Sequence, residues 1–112
     1  MENCVFCRIA NKEQEAKMLF ENSELYVVRD ILPKAPVHFL VVTKEHIPSV
    51  HQLEARHAKL ISDMFLVAKN MANQEGIGER GYKIVFNVGK EGGQTIPHLH
   101  MHVLGGKQMS EQ

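Results

Sequence analysis

HLHMHVL, residues 98–104, places an imidazole at every second position. In a helix, positions i, i+2 and i+4 point in different directions, whereas in a β-strand they share one face. The stretch therefore predicts a strand with Leu99, Met101 and Val103 on an apolar back and His98, His100 and His102 on its front. Three such rings suit a metal, a nucleophile with its helpers, or a merely polar sheet surface. Three histidines with an open position would suit a catalytic zinc, but rings two residues apart along one strand do not easily all converge on one ion, whereas two of them could.

Working outward, YKIVFNV (82–88) alternates Tyr82, Ile84, Phe86 and Val88 against Lys83, Val85 and Asn87, which predicts a second strand with one apolar face. KEGGQTIP (90–97) links the two as a loop. From about Leu53 to Glu75 the period changes: Leu60, Met64, Val67 and Met71 form one stripe, flanked by Ile61, Ala68 and Ala72. That pattern predicts one long amphipathic helix, stopped by Gly76, with His57 near its start as a solvated surface residue. HFLVVT (38–43) reads as a central strand entered through the prolines of ILPKAP, and KMLFEN and LYVVRD as an antiparallel pair. Five strands, one long helix and a short N-terminal helix make an α+β chain with a largely antiparallel sheet. No repeat, linker or low-complexity segment divides residues 1–112, so a single domain is expected.

Thirteen Lys and Arg balance thirteen Asp and Glu, with no basic run or stripe, so polynucleotide binding is disfavoured while a single nucleotide is not. No apolar run approaches bilayer length and the start lacks a signal-peptide pattern, so a cytoplasmic protein without membrane contact is expected. GIGERG (76–81) matches G-x-G-x-x-G, but it follows a helix and precedes a strand, the reverse of a dinucleotide-binding turn.

The loop and the histidine strand together carry the chemistry. Gly92 and Gly93 permit close backbone approach to a ligand, Gln94 and Thr95 supply donors, and Asn87 ends the neighbouring strand. These are the parts of an anion cradle beside a row of imidazoles. A neutral imidazole can attack phosphorus while another bonds a phosphate oxygen or helps protonate the leaving group, so phosphoryl or nucleotidyl chemistry needs no metal.

His98, His100 and His102 followed by Val103 and Leu104, with GGQT before them, RDILPKAPVHFLVVTKEHI upstream and LGGKQM downstream, resemble the HIT (histidine triad) family, in particular its Hint branch of purine nucleoside phosphoramidases. The resemblance covers nearly the whole chain. It implies a HIT-like fold and a homodimer whose two five-stranded sheets join into one of ten strands. It also implies hydrolysis of the P–N bond of purine nucleoside 5′-phosphoramidates, such as adenosine 5′-monophosphoramidate, or of lysyl-AMP, through a nucleotidyl-histidine on His100. By the same resemblance His98 and His102 position that ring and contact the α-phosphate, and His38 supports them. Asp30 and Ile31 hold the ribose and flank the base, Asn87 bonds ribose or phosphate, and Gly93, Gln94 and Thr95 line the leaving-group side. Dinucleoside polyphosphate hydrolysis of the Fhit type, or a nucleotide- or partner-binding module with incidental hydrolysis, are the rival functions.

Cys4 and Cys7 are too few for a disulfide scaffold. Cys-x-x-Cys suits a redox pair, half a zinc site, or two small residues packed under the sheet, and the lack of a βαβ context weakens the first. The resemblance implies a structural zinc on Cys4, Cys7, His46 and His98, which would orient His98 without activating water. The chain departs from the Hint pattern at Pro97, where a bulkier residue is common, and in its polar ending.

Overall fold

The computed structural model describes residues 3–112. A short helix α1 (Val5–Ala10) is followed by β1 (Met18–Glu21), β2 (Leu25–Arg29) and β3 (Val37–Thr43), then the long helix α2 (Ala58–Gln74), β4 (Tyr82–Val85) and β5 (His100–Gly105). The five strands form one antiparallel sheet in the order β1-β2-β3-β5-β4, the α+β architecture expected from the alternation patterns.

The alternation within each strand sorts side chains onto two layers. Leu25, Val27, Phe39, Val41, Met101 and Val103 face α2, whose Leu60, Met64, Ala68, Met71 and Ala72 complete the main core. Burying each of the larger side chains contributes about 1.5–3 kcal/mol. On the opposite face, Tyr26, Val28, Leu40 and Val42 meet Phe6, Ile9, Cys4 and Cys7 of the α1 segment. The Tyr26 hydroxyl donates to the carbonyl of Phe6 at 2.8 Å, which pins α1 to the sheet. Because α1 is only six residues long, it covers β2 and β3 and leaves this face open over β5 and β4. β2 and β3 are covered on both sides, and their near-continuous apolar sequence follows from that.

Four expectations need correction. The long helix begins at Ala58 and not near Leu53, because two 3-10 turns, Val50–Gln52 and Ala55–His57, occupy the preceding residues. His57 is buried and not solvated: its Nδ1 accepts from the Glu54 amide at 3.0 Å and its Nε2 lies 3.2 Å from a Glu45 carboxylate oxygen, so it caps the turn that launches α2. β4 ends at Val85, and residues 86–88 leave the sheet as the chain turns into the loop; the final strand likewise starts at His100, with His98 and Leu99 in the bend before it. At the far end, α2 stops as its sequence indicates. Gly76 has φ +80°, its amide bonds the Asn73 carbonyl and the Ile77 amide bonds that of Ala72, a Schellman closure. Among the described residues no helix is long and apolar enough to cross a membrane.

Candidate active site

The uncovered half of the sheet is the floor of a cavity of about 930 Å³, walled by α1 and by the loops after β2 and β4. Strand register orders its floor into rows. Leu104 of β5 lies opposite His38 on one side and Lys83 on the other; His102 lies between Leu40 and Val85. Apolar Val5, Phe6, Ile9, Val28 and Leu40 sit at the α1 end, and the histidines sit at β5.

Hydrogen bonds fix the tautomers, because each neutral ring has one donor and one acceptor nitrogen. The Lys34 amide donates to Nδ1 of His38 at 3.1 Å, so the proton of neutral His38 is on Nε2. That Nε2–H is 2.9 Å from Nδ1 of His102, which must accept, leaving the His102 proton on Nε2. Asp30 Oδ2 lies 3.4 Å from His38 Nε2, where a carboxylate favours the N–H, and 3.8 Å from His102 Nδ1, while its Oδ1 accepts the Leu32 amide at 2.8 Å. Nδ1–H of His100 donates to the His98 carbonyl at 2.7 Å, which leaves a lone pair on Nε2. The row thus carries one acceptor nitrogen on His100 and one donor nitrogen on His102. Burial lowers the pKa of His100, His38 and His102, that of His102 to about 4 with further help from His100 and His38, so the rings are neutral at pH 7.

His98 is directed elsewhere. It is fully buried, its Nε2–H donates to the Thr43 carbonyl at 2.6 Å, and its Nδ1 faces Cys4 Sγ at 3.2 Å, His46 Nδ1 at 3.2 Å and Cys7 Sγ at 3.5 Å. Cys7 Sγ is 3.1 Å from His46 Nδ1, and the four ligand atoms all lie within 4.8 Å of one another. Ligands of a tetrahedral zinc at its usual bond lengths stand about 3.3–3.8 Å apart, so this Cys2His2 set fits the ion. Asp30, His38 and His102 also converge within 4.8 Å. That set does not fit a metal, since the Lys34 amide already occupies one nitrogen of His38 and a metal on the other would require an imidazolate.

The remaining expected residues take distinct places. Ile31 is 91% exposed on the cavity lip, beside exposed Leu32. Asn87 donates from Nδ2 to the Gly92 carbonyl at 2.9 Å, and Gly93 has φ +84°. Gln94 staples the loop: its Nε2 donates to the carbonyls of Pro48 and Ile96 at 2.7 and 2.9 Å, and its Oε1 accepts the Gly89 amide at 2.9 Å. Thr95 is exposed at the rim. The sequence reading missed the Lys34 amide and Thr43 carbonyl, backbone groups that leave no signature, and Lys83, whose alternation with Val85 and Asn87 did carry one.

A family model described as "Scavenger mRNA decapping enzyme C-term binding" matches residues 3–112, and HIT family hydrolases share the fold throughout. The chain belongs to the histidine triad (HIT) family. A purine nucleoside phosphoramidase of Escherichia coli K12 is 36% identical over 108 residues, 96% of this chain and 91% of the relative. A HIT family hydrolase from Legionella pneumophila superposes with a TM-score of 0.95 at 41% identity, covering 97% of each chain. One from Clostridium thermocellum gives 0.96 at 39%, covering 100% of this chain and 97% of the other. In this HIT protein the triad is split by hydrogen bonding: His100 and His102 face the cavity, and His98 faces the cysteines.

Proposed function

We propose that this HIT protein is a nucleotide hydrolase that cleaves the P–N bond of purine nucleoside 5′-phosphoramidates. The observation that carries the reading is the hydrogen bond from His100 Nδ1–H to the His98 carbonyl, which leaves Nε2 of a neutral, cavity-facing ring free to attack. The purine lies in the apolar slot of Phe6, Ile9, Val28 and Leu40, with Asp30 on the ribose and Ile31 at its edge. His100 Nε2 forms a bond to the α-phosphorus as the P–N bond breaks, and the departing amine takes a proton from solvent. His102 donates its Nε2–H to a non-bridging oxygen, held in that tautomer by His38. Water then cleaves the nucleotidyl-histidine, and the proton it releases restores the balance along with neutral His100. Asn87, Gly93, Gln94 and Thr95 form the loop wall beside the phosphate.

A structural zinc on Cys4, Cys7, His46 and His98 belongs to the same proposal; when bound it would cross-link the α1 segment to the start of β5 and take no part in the chemistry. So does a homodimer. β4 ends the sheet with no partner strand on its outer edge among the described residues, and exposed Phe65 and Val88, with Phe86 6.2 Å from the Phe65 ring, make that edge apolar. Pairing of two such edges would give ten strands.

Purified protein is expected to release AMP from adenosine 5′-monophosphoramidate faster than from diadenosine polyphosphate. His100→Ala is expected to abolish the release, and trapping should show a nucleotidyl adduct on His100. Wild type that leaves the phosphoramidate intact, or an active His100→Ala variant, would overturn the reading.

A further inference from the structure

The register of the sheet extends the reading to the leaving group, and the extension rests on the phosphoramidase proposal. Across the cavity floor the strands run β2, β3, β5, β4. The apolar slot lies over β2 and β3 under α1, and the attacking and donating nitrogens lie on β5. A substrate whose base fills the slot and whose phosphorus sits at β5 therefore carries its leaving group out over β4. The cavity-facing side chains there are Lys83, Val85 and Asn87.

We infer that Lys83 selects phosphoramidates whose leaving amine bears a carboxylate a few bonds from nitrogen, an amino acid or a short amino carboxylate joined through its amine, with Val85 against the carbon stem. Lys83 stands directly opposite Leu104 and so is a diagonal neighbour of His102, about 7–8 Å away along the sheet and within reach of a long side chain. The carboxylates that line the cavity, Glu15 and Asp30, belong to the α1–β1 loop and the end of β2, on the nucleoside side. Arg29 is turned to Glu75 by two bonds of 2.6 and 3.1 Å, and Lys34 stands beside His38, next to Asp30. Lys17 precedes β1, at the opposite end of the sheet from β4, so Lys83 is the cation on the leaving-group side. It already holds an oxygen acceptor: its Nζ donates to the main-chain oxygen of Gln112, which a substrate carboxylate would replace. A leaving group carrying an ammonium, by contrast, would meet a like charge.

The test compares kcat/KM for the adenosine 5′-phosphoramidates of β-alanine, of β-alanine amide and of ammonia, with wild type, Lys83→Met and Lys83→Glu. Wild type is expected to prefer the carboxylate over its neutral amide by about tenfold, the factor that about 1.4 kcal/mol supplies, with the preference shrinking as salt is added. Lys83→Met should bring the ratio of kcat/KM for carboxylate over amide to about one, and Lys83→Glu should reverse it. AMP release with equal efficiency from carboxylate and amide, or a preference that survives in Lys83→Met, overturns the inference alone. No AMP from any of the three overturns the phosphoramidase reading and the inference with it.

Discussion

At the scale of single residues, the site is a set of tautomer choices made by backbone atoms. The Lys34 amide, the His98 carbonyl and the Thr43 carbonyl each fix one ring nitrogen, and together they leave an acceptor nitrogen on His100, a donor nitrogen on His102 and Nδ1 of His98 turned to the cysteines. Buried neutral histidines also make stability depend on pH. The pKa of His102 is lowered to about 4, first by burial and then by His100 and His38, and that of His38 is lowered by burial. The unfolded chain therefore binds more protons than the folded one between roughly pH 6.5 and 4. The stability these rings contribute is complete above pH 6.5 and is lost as pH falls toward 4. Urea midpoints measured across that window should fall with acidity, and less steeply for His102→Asn than for wild type. The histidine roles were only half legible in sequence: spacing put three rings on one face, but nothing in HLHMHVL distinguishes a ring held by a carbonyl from one held by another histidine.

Among the elements, the limits of α2 show how local chemistry competes with periodicity. The apolar pattern runs back to Leu53, yet Ser49 and the Glu54–His57 pair offer side-chain partners to nearby amides and hold two tight turns in place of the first helical turn. Such short-range bonds are invisible to a pattern count, which is why the start was misjudged while the Gly76 stop was not. Gly76→Ala forces a side chain into left-handed backbone and should cost about 1–2 kcal/mol. A thermal melt should register the loss without any change in KM, since Gly76 lines no part of the histidine-floored cavity. β4 was overextended for a related reason: the alternation of 82–88 continues past Val85, but Gln94 and Asn87 tie the following loop to itself and draw the chain off the sheet.

For the molecule as a whole, β4, β5 and the long helix were readable from period, and β1 to β3 from runs of apolar and β-forming residues between turn signals, because β2 and β3 have an apolar layer on each side. What the sequence could not display was that α1 leaves half of the second face uncovered, a matter of helix length against sheet width. The exposed edge of β4 bears on assembly. Light scattering should return the mass of two chains for wild type and of one chain for Val88→Glu, whose charge would be stranded in an apolar edge contact. A single chain mass for wild type would exclude the ten-stranded arrangement. α1 belongs to two sites within six residues: Phe6 and Ile9 wall the apolar slot of the cavity, where the proposed function seats the nucleoside, and Cys7, with Cys4 just ahead of the helix, belongs to the cluster around His98. Occupants of the two sites would then be thermodynamically linked, because each favours the same seated helix. Reciprocity requires that AMP tighten zinc by the same factor with which zinc tightens AMP. Equal zinc affinity with and without saturating AMP would mean that the helix stays seated on its apolar contacts alone.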